Sequence, residues 1–187
     1  MRKIIQGILA ILLLMVAGAC QQAGTTINKS GESSQWEVLM KQQLPLLGHR
    51  NWILIVDKAY PAPNNKDITV INTGETMINV VKTVDSMLGR QPHIRPIIYQ
   101  DEEFKHLDEE LARGISGYRK EIEQVWGKRQ VLQIPHGEVF KKIDEASRLF
   151  KVVVLKTESL LPYTSVFMEL DCRYWNAEKE EILRSRI

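Results

Sequence analysis

Short apolar runs alternate along the chain with longer stretches that carry a single apolar face. Trp52-Ile53-Leu54-Ile55-Val56 is a continuous apolar run bounded by polar and proline-rich sequence, which predicts a strand buried on both faces. Ile68 to Ile71, Ile94 to Tyr99, Val131 to Ile134, Lys151 to Leu155 and Ser165 to Leu170 predict five more strands. Pro96 places the middle of the third at an edge or an irregularity. Thr76 to Leu88 puts Met77, Val80, Val81, Val84 and Leu88 on one helical face, and Gly89 ends it. Ser34-Gln35-Trp36-Glu37 reads as a capping box opening a helix to about Leu44, which Pro45 and Gly48 close. Asp101 to Ala112 and Tyr118 to Trp126 predict two helices separated by Gly114 and Gly117. Glu138 to Arg148, with Val139, Ile143 and Ala146 inward, predicts another, and Ala177 to Arg184 a charged terminal one. Strands alternating with helices predict one α/β domain over 35–187, a largely parallel sheet with helices on both faces.

The first nineteen residues stand apart from this pattern. Arg2 and Lys3, the apolar Ile8 to Val16, and Ala17-Gly18-Ala19 predict an export signal over 1–19, its apolar run too short for the ~20 residues that span a bilayer. Cleavage after Ala19 would place Cys20 first, as in a bacterial lipoprotein, so acylated Cys20 is the expected membrane anchor and 20–34 a flexible polar tether. Plain secretion with an incidental Cys20 is the alternative. The lipid reading places the protein in the bacterial cell envelope, on the periplasmic or surface side. Cys172, in an apolar segment, is expected to be a buried free thiol.

Charge adds one exclusion. Without Arg2 and Lys3 the 25 basic residues become 23, equal to the 23 acidic ones, and no basic patch points to nucleic acid. The four histidines have no metal-ligand spacing, so no metal is expected, and the common hydrolase, P-loop and dinucleotide motifs do not occur. His106, between Glu102 and Glu110, reads as part of a solvated helix face, and His93 as a loop histidine without a sequence partner. His49 and His136 lie on turns beside buried strands, where a side chain meets both solvent and ligand. Asp57 ends the first strand at its carboxyl end, where open α/β sheets bind ligands. His49 and Asp57 flank one strand, at most ~28 Å apart when extended. Sharing a site requires either a turn that folds His49 back or a neighbouring subunit.

Gly48-His49, the apolar run, Asp57, and the Pro61-Ala62-Pro63 turn together resemble the start of the D-ribose pyranase / L-fucose mutarotase family (RbsD/FucU). His136 ahead of a helix and Pro162-Tyr163-Thr164-Ser165 before the last strand continue the resemblance from about Leu47 to Leu170. The resemblance implies that His49 is a catalytic proton donor and that Asp57, His136, Tyr163 and Ser165 contact a monosaccharide. It also implies a homo-oligomeric ring with sites at subunit contacts and no metal or organic cofactor. Ring opening needs one group to protonate the ring oxygen and another to take the proton of the anomeric hydroxyl, work that histidine does near neutral pH. Four features depart from the family pattern: Ser165 replaces an asparagine, Lys58 a small alanine, the export signal moves the protein out of the cytosol, and Arg173 to Ile187 extends past the usual end. A surface lipoprotein using the same fold as a non-catalytic binding or assembly module is the alternative.

Overall fold

The computed structural model describes residues 34–187; the expected export signal, Cys20 and tether residues 20–33 lie outside the described residues. Six strands form one sheet in the order β2-β5-β1-β6-β3-β4. They are β1 (Trp52–Val56), β2 (Ile68–Asn72), β3 (Ile94–Asp101), β4 (Val131–Ile134), β5 (Val152–Lys156) and β6 (Val166–Cys172). β1 and β2 pair with β5 in parallel, and β3 with β4 likewise. β6 lies between β1 and β3 and runs antiparallel to both, so it alone opposes the common direction.

Burial follows this order. All five residues of β1 are buried and four of the five in β5, whereas β2 and β4 at the margins are half-exposed. A strand buried on both faces reads as an unbroken apolar run, which is why β1 and β5 were legible.

Helices α1 (Gln35–Gln43), α2 (Met77–Gly89) and α3 (Ile115–Trp126) cover one face, packing on Ile53, Ile55, Val153, Leu155, Val166 and Met168. α4 (His136–Ser147) covers the other through Val139 and Ile143, which meet Trp52, Leu54, Val152, Val154 and Phe167. The split is the period-two alternation of each strand. α5 (Ala177–Arg184) follows β6 and has no buried residue. Among the described residues no helix is long and apolar enough to cross a membrane.

Several local expectations need correction. Residues 101–112 are not a helix: Asp101 is still in β3, in register with Ile134 of β4, and only a short 3-10 turn, Glu102–His106, follows. Leu107 then returns to extended backbone, and the Asp108 carboxylate accepts the N–H groups of Glu110 and Leu111. Gly117 does not separate two helices but lies inside α3, which starts at Ile115. α4 begins at His136 rather than Glu138. The capping box at Ser34 is half made, because its hydroxyl donates to Glu37 (3.2 Å) and caps no backbone N–H. The left-handed residue after α1 is Arg50 (φ 70°), not Gly48, whose N–H instead donates to Asn51 Oδ1. Cys172 is only half-buried. Pro96 lies where β3 has β6 on one side and β4 has not yet joined, so the strand is locally an edge.

Candidate functional site

The carboxyl ends of β1, β3 and β4 and the start of β6 meet at one edge of the sheet, the edge where open α/β sheets hold ligands. Asp57 leaves β1 there and bends back on itself. Its Oδ1 accepts the N–H groups of Ala59 (2.8 Å) and Tyr60 (3.1 Å), which fixes the carboxylate, and its Oδ2 stands 3.5 Å from Ser165 Oγ. One oxygen therefore caps the turn while the other faces the site.

Tyr163 sits on the loop before β6 with φ 54°, a left-handed conformation that side chains rarely adopt. Thr164 on the same loop is tied down twice, its hydroxyl donating to Leu161 O (2.7 Å) and its carbonyl accepting from Tyr118 Oη (2.8 Å). His136 opens α4. Its backbone N–H donates to the Glu103 carboxylate at 3.1–3.2 Å, placing an anion at the helix N-terminus. Its ring meets Phe140 and Tyr163 edge to face, at 4.7 and 5.2 Å between centroids.

A cavity of 320 Å³ is lined by Asp57, Ala59, His136, Leu160, Pro162 and Tyr163, near the lower end of the size range of small-molecule sites. It offers one carboxylate, an imidazole, a phenol and an aromatic face, a set suited to a polyhydroxylated ligand. A larger concavity of 500 Å³ beside β3 and β4 presents Arg95, Arg129 and Arg173. Those guanidiniums are spent on the protein: Arg129 on Asp85, Arg95 on Asp171, and Arg173 on the carbonyls of Ile94 and Leu88.

Asp101 was not among the residues picked from the sequence. It ends β3 as Asp57 ends β1, and its side chain is fully buried. His136 Nδ1 lies 3.1 Å from its Oδ1, yet neither Asp101 oxygen nor Nδ1 has an aligned hydrogen-bond partner. Burial pushes the Asp101 carboxyl up to about 6; Glu103 and Asp57 push the same way, and His136 opposes them. The available signal was the repeat of an apolar strand ending in aspartate.

His49 is not in this cavity. It lies at the opposite edge, its Nδ1 3.6 Å from Asp171 Oδ1, beside a 330 Å³ hollow shared with Trp52, Lys142 and Glu169. Partial burial works to raise the Asp171 carboxyl. The Arg95 guanidinium, the Cys172 N–H and His49 outweigh it and hold the carboxyl below its ordinary value. The structure thus brings together Asp57, His136, Tyr163 and Ser165 of the expected set and leaves His49 apart within one chain. Lys58 turns to Glu158, with which it pairs at the surface. His106 is exposed, and His93 Nε2 is 3.0 Å from the Leu47 carbonyl. Among the described residues no group of three or more His, Cys, Asp or Glu is placed to hold a metal ion.

No family model matches the sequence, and no curated protein matches it. Solved structures do. RbsD of Bacillus subtilis complexed with D-ribose aligns at 16% identity over 76% of this chain and 96% of that one, with a TM-score of 0.51. The fucose mutarotase of Streptococcus pneumoniae in complex with L-fucose aligns at 12% identity over 68% and 87%, with a TM-score of 0.46. FucU of Bifidobacterium longum aligns at 16% identity over 71% and 92%, with a TM-score of 0.45. These neighbours are RbsD/FucU proteins, and the mixed six-stranded α/β domain seen here has the fold of RbsD.

Proposed function

We propose that the chain binds a monosaccharide in the cavity lined by Asp57, His136 and Tyr163, with Ser165 behind Asp57, and interconverts its ring forms or anomers. The observation that carries this reading is the convergence of Asp57, His136 and Tyr163, from three distant parts of the sequence, on one 320 Å³ cavity. The likeness in fold to a protein crystallised with D-ribose supports it. The Asp57 carboxylate accepts hydrogen bonds from sugar hydroxyls, the Ser165 hydroxyl, where the family pattern has an amide, stands behind it 3.5 Å from Oδ2, and Tyr163 offers a ring face.

Ring opening moves two protons. His49 is the donor that the family resemblance names; it lies at the opposite edge, so in this reading a second copy of the chain supplies it to the cavity. A homo-oligomer, exported and held to the envelope by lipid on Cys20, is therefore part of the proposal. The separation of His49 from the cavity also favours a second reading, a sugar-binding module without catalysis.

Saturation-transfer NMR against common pentoses and hexoses, followed by exchange line shapes on each ligand found, tests the reading. Binding of an aldose with ring exchange above the buffer rate is expected. Binding without exchange selects the second reading, and no binding by any aldose removes both.

A further inference from the structure

Proton transfer at an anomeric centre needs a base as well as an acid, and the family pattern supplies only the acid. Asp101 and His136 have the form of the missing half. A buried carboxylate with no partner but one imidazole is costly, and an asparagine or apolar residue would fill the same space with less penalty. Its nearest group of opposite tendency is His136 Nδ1 at 3.1 Å. Nδ1 is itself buried, while the imidazole as a whole is 43% exposed, so Nε2 is the open nitrogen. Phe140 and Tyr163 hold the ring edge to face, and the Glu103 carboxylate holds its backbone N–H. A carboxylate at one imidazole nitrogen selects the tautomer with the other nitrogen unprotonated and stabilises the cation formed when that nitrogen takes a proton.

We infer that His136 is the general base of the cavity, acting through Nε2, and that Asp101 is the residue that positions it; the inference rests on the aldose reading above. In a pyranose, Nε2 takes the proton of the anomeric hydroxyl and the O–H electron pair becomes the second bond of the aldehyde. The bond between the anomeric carbon and the ring oxygen breaks with its pair going to oxygen. That oxygen takes a proton from the imidazolium of His49 of the partner subunit. Reclosure on either face of the aldehyde, or through another hydroxyl, returns both protons, with no net oxidation and no co-reactant. The groups facing Asp101 are His136 on α4, Glu103 on the 3-10 turn and Asp57 after β1, so the pH profile belongs to this set.

The test uses the full folded protein. Nitrogen-15 imidazole shifts should show the neutral His136 ring with its proton on Nδ1 and Nε2 bare. Asp101→Asn should disturb that state and slow D-ribose or L-fucose exchange by about 10²-fold or more, with sugar affinity within about threefold. His136→Gln, at an exposed helix start, should slow exchange by about 10²–10⁴-fold and is the second variant should Asp101→Asn misfold. A wild-type His136 protonated only at Nε2 overturns the inference. So does an Asp101→Asn variant that exchanges sugar at the wild-type rate with the wild-type pH profile, while the aldose reading stands. A wild type that binds neither sugar nor any other common aldose overturns both.

Discussion

His49 Nδ1 lies 3.6 Å from Asp171 Oδ1 at one end of the β1–β6 pair, and Ser165 Oγ lies 3.5 Å from Asp57 Oδ2 at the other. The antiparallel register of β6 on β1 fixes both meetings at once. A single chain holds the two halves of the expected catalytic set at opposite edges of its sheet.

Subunit mixing tests that assembly. His49→Ala and His136→Gln proteins should each be nearly inactive alone. Mixed after dissociation and reassociation, about a quarter of the sites should draw an intact His49 and an intact His136 from different chains. Exchange should return to that extent. A mixture as inactive as its components places both residues in one chain's site, and a His49→Ala protein that is active alone leaves His49 out of catalysis.

Asp101 carries a stability signature of its own. Its folded value of about 6 lies above the ordinary 3.8, so the folded state favours the protonated acid. The group costs nothing below about pH 3, where both states are protonated. The cost grows as pH rises from about 3 through 6 and is complete above about 7, at about 2–3 kcal/mol for a shift of this size. Asp101→Asn should therefore gain in urea midpoint relative to the wild type between pH 3 and pH 7. A stability gap that stays flat across this range would show the carboxylate to be solvated.

Tyr163 pays backbone strain for its position at the cavity mouth, with φ 54°. Tyr163→Gly should relieve about 1 kcal/mol and keep or raise the melting temperature, yet weaken sugar binding by losing the ring that meets His136. Tyr163→Phe should retain the ring contact and the strain and lose only the phenol. Equal affinity in Tyr163→Gly and wild type would remove the ring from the binding set.

Lys58 departs from the family pattern without entering the cavity, since it pairs with Glu158 and both are exposed. Exposed ion pairs contribute about 0–1 kcal/mol. Lys58→Ala should change sugar affinity by less than about threefold by titration calorimetry. A tenfold gain would mean that the cation reaches the ligand.

The strands were legible because a strand buried on both faces must be apolar throughout, as Trp52–Val56 and Val152–Leu155 are. α2 was legible from the stripe Met77, Val80, Val81, Val84 and Leu88 and from Thr76, which accepts the Asn79 N–H. Residues 101–112 misled because acidic residues suit a helix start as well as a strand end, and only pairing with β4 decides between them. Asp101 was missed for the same reason: its burial comes from α4 and β3 meeting, which no local pattern encodes. Asp57, His136 and Tyr163 were legible through resemblance, and their meeting at one cavity through the topology alone.

β6 runs against the other five strands, so the polypeptide enters it beside the cavity and leaves it at the far edge. Everything attached after Cys172 departs on the side away from the cavity. α5 contributes no buried residue, so a load hung on it disturbs no core. That far edge also carries His49 and Asp171, so a bulky group attached to α5 stands beside the contact that the proposed assembly needs and should weaken association of the copies.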